Sequence, residues 1–138
     1  MKTTLRPGTA RSERITIDRD RTIDFMGDDA RVYGTPNLVR DFEQTCRNLL
    51  IEHCDAGEDF VGMEISVRHM APTLLDMAVE IAATVTAVEG RKVSFELSAN
   101  DEIEPISVGS HTRFVVDVGK TVERLKAKAA KRTVALRA

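Results

Sequence analysis

The chain has 138 residues, 42% hydrophobic, 30% charged and 4% aromatic, which suits one soluble domain and leaves no room for a second core. Twenty basic against twenty-two acidic residues give a formal net charge of -2, excluding a protein-wide positive field that would hold a nucleic-acid backbone. With no Trp and one Tyr there is little to stack on single strands, and no apolar run is long enough to span a bilayer.

The amino terminus, MKTTLRPGTARSER, is polar and lacks the apolar stretch of a signal peptide, so residues 1–14 are expected to form a flexible leader. From Arg14 to Met26, Ile15, Ile17, Ile23 and Phe25 occupy odd positions, the period of a strand. After the polar break Gly27-Asp28-Asp29, the segment Leu38 to His53 reads as a helix, because Leu38, Val39, Phe42, Cys46, Leu49 and Leu50 recur at helical spacing. Its start allows two readings. Thr35 is the N-cap with Pro36 at the first helical position, or Thr35-Pro36 is a turn and Asn37 the cap. Asp55-Ala56-Gly57 is expected to stop the helix, with Gly57 as a left-handed terminator. Cys46 and Cys54 lie roughly 12 Å apart along the same helix, beyond disulfide reach, which fits reduced thiols in a cytoplasmic protein. His53 beside Cys54 has no further ligands at zinc-site spacing, so no metal is expected.

Beyond the helix the period becomes two. Val61, Met63, Ile65 and Val67 alternate with polar residues, as do Met77, Val79, Ile81, Ala83, Val85 and Ala87. Glu89-Gly90-Arg91 is a turn, Val93, Phe95, Leu97 and Ala99 alternate again, and a last strand runs from about Ile106 to Val118 with Phe114, Val116 and Val118 on one face. Lys120 to Arg132 reads as a basic, weakly amphipathic helix, either a solvated terminus or a patch for phosphate groups. The sum is an α+β domain over residues 15–118, with an antiparallel sheet of about five strands wrapped around one long helix, followed by a basic helix or tail over 119–138. That order looks like the hot dog fold.

Three side chains stand out. Glu43 falls just past Leu50 around the helix, at the margin of the buried face, where a glutamate ordinarily reaches out to solvent. His69 ends the odd-numbered apolar series of its strand and points to the covered side, the setting of a hydrogen-bonded structural histidine or of a catalyst. Thr35 lies at the helix mouth, where outward-pointing amides polarise a carbonyl oxygen and a hydroxyl caps, donates or positions water. Gly62, in the His69 strand, marks a bulge or a close approach of a ligand.

Thr35 and Glu43 are eight positions apart in T-P-N-L-V-R-D-F-E, Gly62 and His69 seven apart in G-M-E-I-S-V-R-H, and Gly109-Ser110-His111-Thr112-Arg113 forms a Gly-x-His-x-Arg element. Together with the run Val88 to Phe95, this resembles the fluoroacetyl-CoA thioesterase family of hot dog proteins across roughly Ile15 to Val118. The resemblance implies a catalytic set of Thr35, Glu43 and His69, with Gly62 in the thioester pocket and Arg113 at the coenzyme A end of the substrate. It implies hydrolysis of an acyl-CoA thioester, with a small acyl group, in a cytoplasmic homodimer with active sites between subunits. Coenzyme A enters as part of the substrate, and no separate cofactor is needed. Glu43 would act as base or nucleophile, and His69 would protonate the thiolate or activate water. A non-catalytic acyl-CoA-binding module is the main alternative; a hydratase lacks its Asp...His signature here. The family's phenylalanine-bearing lid has only Asp24 to Gly34, with Phe25 and Tyr33, to match it, which leaves the acyl group open. An unbroken helix from Thr35 would put Glu43 about 12 Å further along the axis, so either Thr35 folds back in a turn or one partner comes from the neighbouring subunit.

Overall fold

The computed structural model describes residues 1–137; Ala138, the end of the expected tail, lies outside them. Strand β1 (Ala10–Thr16) leads through two single-turn helices and the short strands β2 (Thr22–Ile23) and β3 (Val32–Tyr33) into helix α1 (Thr35–Ile51). Four long strands follow, β4 (Glu58–His69), β5 (Ala78–Glu89), β6 (Lys92–Asp101) and β7 (Pro105–Asp117), and helix α2 (Val118–Arg137) ends the chain. The five long strands form one antiparallel sheet in the order β1-β5-β6-β7-β4, while β2 and β3 make a separate ribbon. The sheet covers the apolar stripe of α1, the hot dog arrangement, and α2 stands outside it with no buried residue.

The core is where helical and strand periods meet. Leu38, Phe42, Cys46, Leu49 and Leu50 of α1 pack with Val79, Ile81, Ala83 and Val85 of β5 and Val93, Phe95, Leu97 and Ala99 of β6, all buried. Each such side chain contributes about 1.5–3 kcal/mol by leaving water. Desolvation raises the Cys46 thiol to about 12, so this cysteine is an inert core residue.

Several boundaries differ from expectation. The first strand begins at Ala10 and ends at Thr16, before the Asp18-capped turn, so Phe25 is exposed rather than in register with Ile15. The expected flexible leader is packed: Leu5 is buried, and the terminal amine pairs with Asp55 and Glu58 at 2.5 Å each. Helix α1 ends at Ile51, and Gly57, left-handed at φ 80°, turns the chain into β4 instead of terminating the helix.

The larger difference is in β4 and β7. Pairing of β4 with β7 shifts register between Gly62 and Glu64, so Met63 is an extra residue. A bulge reverses the alternation of faces. Before it Phe60 is inward; after it Ile65, Val67 and His69 are; Val61 and Met63, expected inward with them, are exposed. On β7 the buried residues include Ser107, His111, Arg113 and Val115, whereas Phe114, and Val118 at the start of α2, are exposed.

Candidate active site

The structure resolves the start of α1 in favour of neither sequence reading. Gly34 is the N-cap, Thr35 and Pro36 are the first two helical residues, and Asn37 bonds the carbonyl of Asp20. A Cβ on residue 34 would meet Asn37 Oδ1 at 2.5 Å, so only glycine lets that side chain fold back over the cap. Freed from capping, the Thr35 hydroxyl lies 2.8 Å from Nδ1 of His69, at the end of β4. These two residues line one cleft of about 270 Å³ with Ile23, Val32, Tyr33, Met70, Ala71 and Pro72. His69 is half-buried, and desolvation lowers its pKa, favouring the neutral imidazole. Its Nε2 is buried without a hydrogen-bond partner among the described residues. Tyr33 meets the His69 ring edge-on at a centroid distance of 6.2 Å and donates its hydroxyl to Asp41, which also receives a two-pronged bond from Arg21. Asp41 therefore anchors the wall behind His69.

Glu43 and Gly62 meet elsewhere. A Cβ on residue 62 would come within 2.9 Å of Glu43 Oε1, 3.3 Å of His111 Cε1 and 3.5 Å of Arg113 Nη1. The bare backbone at Gly62 thus lies beside the Glu43 carboxylate, next to the bulge at Met63. Arg113 is only 7% exposed; Nη2 donates to the Phe60 carbonyl at 2.7 Å and Nη1 contacts His111 Nε2 at 3.2 Å. Its guanidinium therefore lies inside, near Glu43. Burial lowers its pKa, partly countered by the charge of Glu43. Gly62 and Arg113 also line a second cleft of about 430 Å³, walled by Phe60, Val61, Val118 and Val122.

Two site pairs thus sit between α1 and β4, Thr35 with His69 near the start of the helix and Glu43 with Gly62 further along it. Because α1 is continuous from Thr35, the two ends are about 12 Å apart along its axis. His111, two residues from Arg113 on the same strand, shares its inward face. No helix among the described residues is long and apolar enough to cross a membrane, and no cluster of at least three His, Cys, Asp or Glu residues suited to a metal occurs among them.

Known proteins resemble the chain in sequence and in fold. The profile of a family described as fluoroacetyl-CoA-specific thioesterase matches residues 17–119. The fluoroacetyl-CoA thioesterase of Streptantibioticus cattleyicolor is 31% identical over 97 residues, 70% of either chain. A solved structure of a mutant fluoroacetyl-CoA-specific thioesterase with fluoroacetate and CoA superimposes with TM-score 0.77 at 26% identity, covering 85% of this chain and 99% of that one. A Thermus thermophilus thioesterase superfamily member gives TM-score 0.82 at 26% identity, covering 94% and 96%. By fold, by the order of its site residues and by these matches, the chain belongs to the fluoroacetyl-CoA-specific thioesterase family of hot dog proteins.

Proposed function

We propose that the protein hydrolyses a short acyl-CoA thioester to the free acid and coenzyme A at a site completed by a second copy of the chain. The observation that carries this reading is the Thr35–His69 hydrogen bond at the mouth of α1, where a hydroxyl and an imidazole that burial favours as neutral face one cleft. Those groups suit a thioester carbonyl, whose oxygen gains negative charge as it is attacked.

A carboxylate is still needed nearby, and the chain's own Glu43 is two helical turns away. Strand β4 offers the remedy. It is a twelve-residue edge strand without proline, carrying exposed Val61 and Met63, the kind of edge that pairs with another strand. A strand that pairs with its own copy about a two-fold axis does so antiparallel. An axis near Ile65 and Ser66 sets His69 of one chain opposite Gly62 of the other, and the partner's Glu43 then faces the Thr35–His69 cleft. In the reaction Glu43 takes a proton from water as its oxygen adds to the carbonyl carbon. Collapse of the adduct breaks the carbon–sulfur bond, and the departing thiolate takes up a proton at the site. The basic side chains of α2 are the surface groups suited to the coenzyme A phosphates.

The test is thiol release from a panel of short acyl-CoAs by the wild type, Glu43→Gln and His69→Ala. Both variants are expected to lose on the order of 100-fold or more in kcat. Mixing the two inactive variants is expected to restore part of the activity, since one site of the mixed dimer then has both residues intact. No recovery on mixing, with subunit exchange verified, would place the site within one chain. Unchanged rates in both variants would remove the catalytic assignment, and tight binding without turnover would identify an acyl-CoA-binding module instead.

A further inference from the structure

We propose that His111 is a positioning residue of this site, holding the β4 bulge open so that Gly62 stays beside Glu43. The inference rests on the thioesterase reading for its kinetic consequence but on the bulge itself for its geometry. A bulge breaks the strand ladder and leaves its flanking carbonyls without regular partners. Here two side chains of β7 take them. Arg113 donates from Nη2 to the carbonyl of Phe60 at 2.7 Å, on one side of Gly62 and Met63, and His111 Nδ1 lies 2.7 Å from the carbonyl of Glu64 on the other.

A carbonyl only accepts, so Nδ1 of His111 carries the proton and Nε2 is left as the acceptor. Arg113 Nη1, at 3.2 Å, donates to it. The three bonds make one continuous brace, from the Glu64 carbonyl through His111 and Arg113 to the Phe60 carbonyl. His111 is 2% exposed and stacks on Phe95, so the brace is fixed to the core. Burial and the nearby Arg113 charge favour the neutral ring that the brace requires. Protonation would place a donor against Arg113 and break the span. Gly109 lets β4 come close enough, since a Cβ there would meet the Ser66 carbonyl oxygen at 2.3 Å.

The experiment uses His111→Asn, whose amide nitrogen keeps the donor to Glu64 but whose shorter side chain puts no acceptor where Nε2 meets Arg113, together with His111→Gln and Arg113→Lys. Hydrogen exchange at residues 61–65 and turnover of a short acyl-CoA are measured for each variant whose melting transition stays cooperative. The expected result is faster exchange confined to those residues, with kcat lower on the order of 100-fold and KM nearly unchanged, the pattern of a displaced catalytic group. A folded His111→Asn protein with wild-type exchange, or with wild-type kcat in an active enzyme, would overturn the proposal. Should the wild type turn over no thioester, altered exchange alone sustains the brace while the thioesterase reading fails. Should the variants not fold, the wild-type imidazole decides: nitrogen NMR is expected to show a neutral ring protonated at Nδ1, and a ring protonated at Nε2 would overturn the brace.

Discussion

The two halves of the sheet obey opposite rules. In β5 and β6 apolar residues face α1 and polar ones face out, so Val79, Ile81, Phe95 and Leu97 are buried while Glu80 and Glu96 are exposed. In β4 and β7 the order is partly inverted: Gly62, His111 and Arg113 face the helix, while Val61 and Phe114, opposite each other in the register, face out. The first half has the pattern of a sheet that only makes a core. The second spends interior positions on polar groups, which are tolerated because they bond one another and the carbonyls exposed by a bulge. The inversion gives the second half polar side chains held inside a packed scaffold, where they are positioned more tightly than on a loop.

This contrast is open to direct attack. The largest effect is expected in the core half, where Leu97→Ala should cost about 2–5 kcal/mol of folding stability in a urea titration. An equally large loss for Phe114→Ala would show that the two halves are built alike. Next, Met63→Lys is expected to leave the monomer folded but to shift sedimentation from dimer to monomer; an unchanged dimer would exclude the β4 edge as the interface.

The halves should also differ in their response to acid. Burial lowers the pKa of both His69 and His111, so the unfolded chain, with histidines near 6.5, takes up protons first as pH falls. Stability present above about pH 6.5 is therefore lost as the pH drops toward the lower folded values. His69→Gln and folded His111→Asn are expected to flatten this loss above the carboxylate range, whereas a parallel loss in both variants would assign it to other groups. The smallest effect is expected outside the sheet. Lys126→Glu with Lys128→Glu, both exposed on α2, should change stability by less than about 0.5 kcal/mol. The same change should raise KM for a coenzyme A thioester but not for a pantetheine thioester lacking the nucleotide phosphates; equal KM values for both would remove α2 from the substrate site.

How far the sequence reaches follows the same division. Alternation in β5 and β6 and the stripe of α1 are dictated by local burial, and both were readable because no residue there does anything else. In β4 the odd-numbered series ran straight through Met63, since one extra residue leaves no mark on a pattern of Val, Met, Ile and Val. On β7 the apolar alternation puts Phe114 and Val116 on one face, and it is the opposite face, with the mutually bonded pair His111 and Arg113, that the fold buries.

By itself the sequence determined the fold class, the central helix, the number of long strands and the residue types and spacing of Thr35, Glu43, Gly62 and His69, because each follows from periodicity or motif order along the chain. Only the tertiary structure decided that Thr35 is free of capping and bonded to His69, that Arg113 is interior, and that Glu43 stands with Gly62 away from that pair. Those facts depend on a glycine cap, a bulge and the pairing of β4 with β7, contacts between segments distant in sequence whose geometry no local pattern encodes.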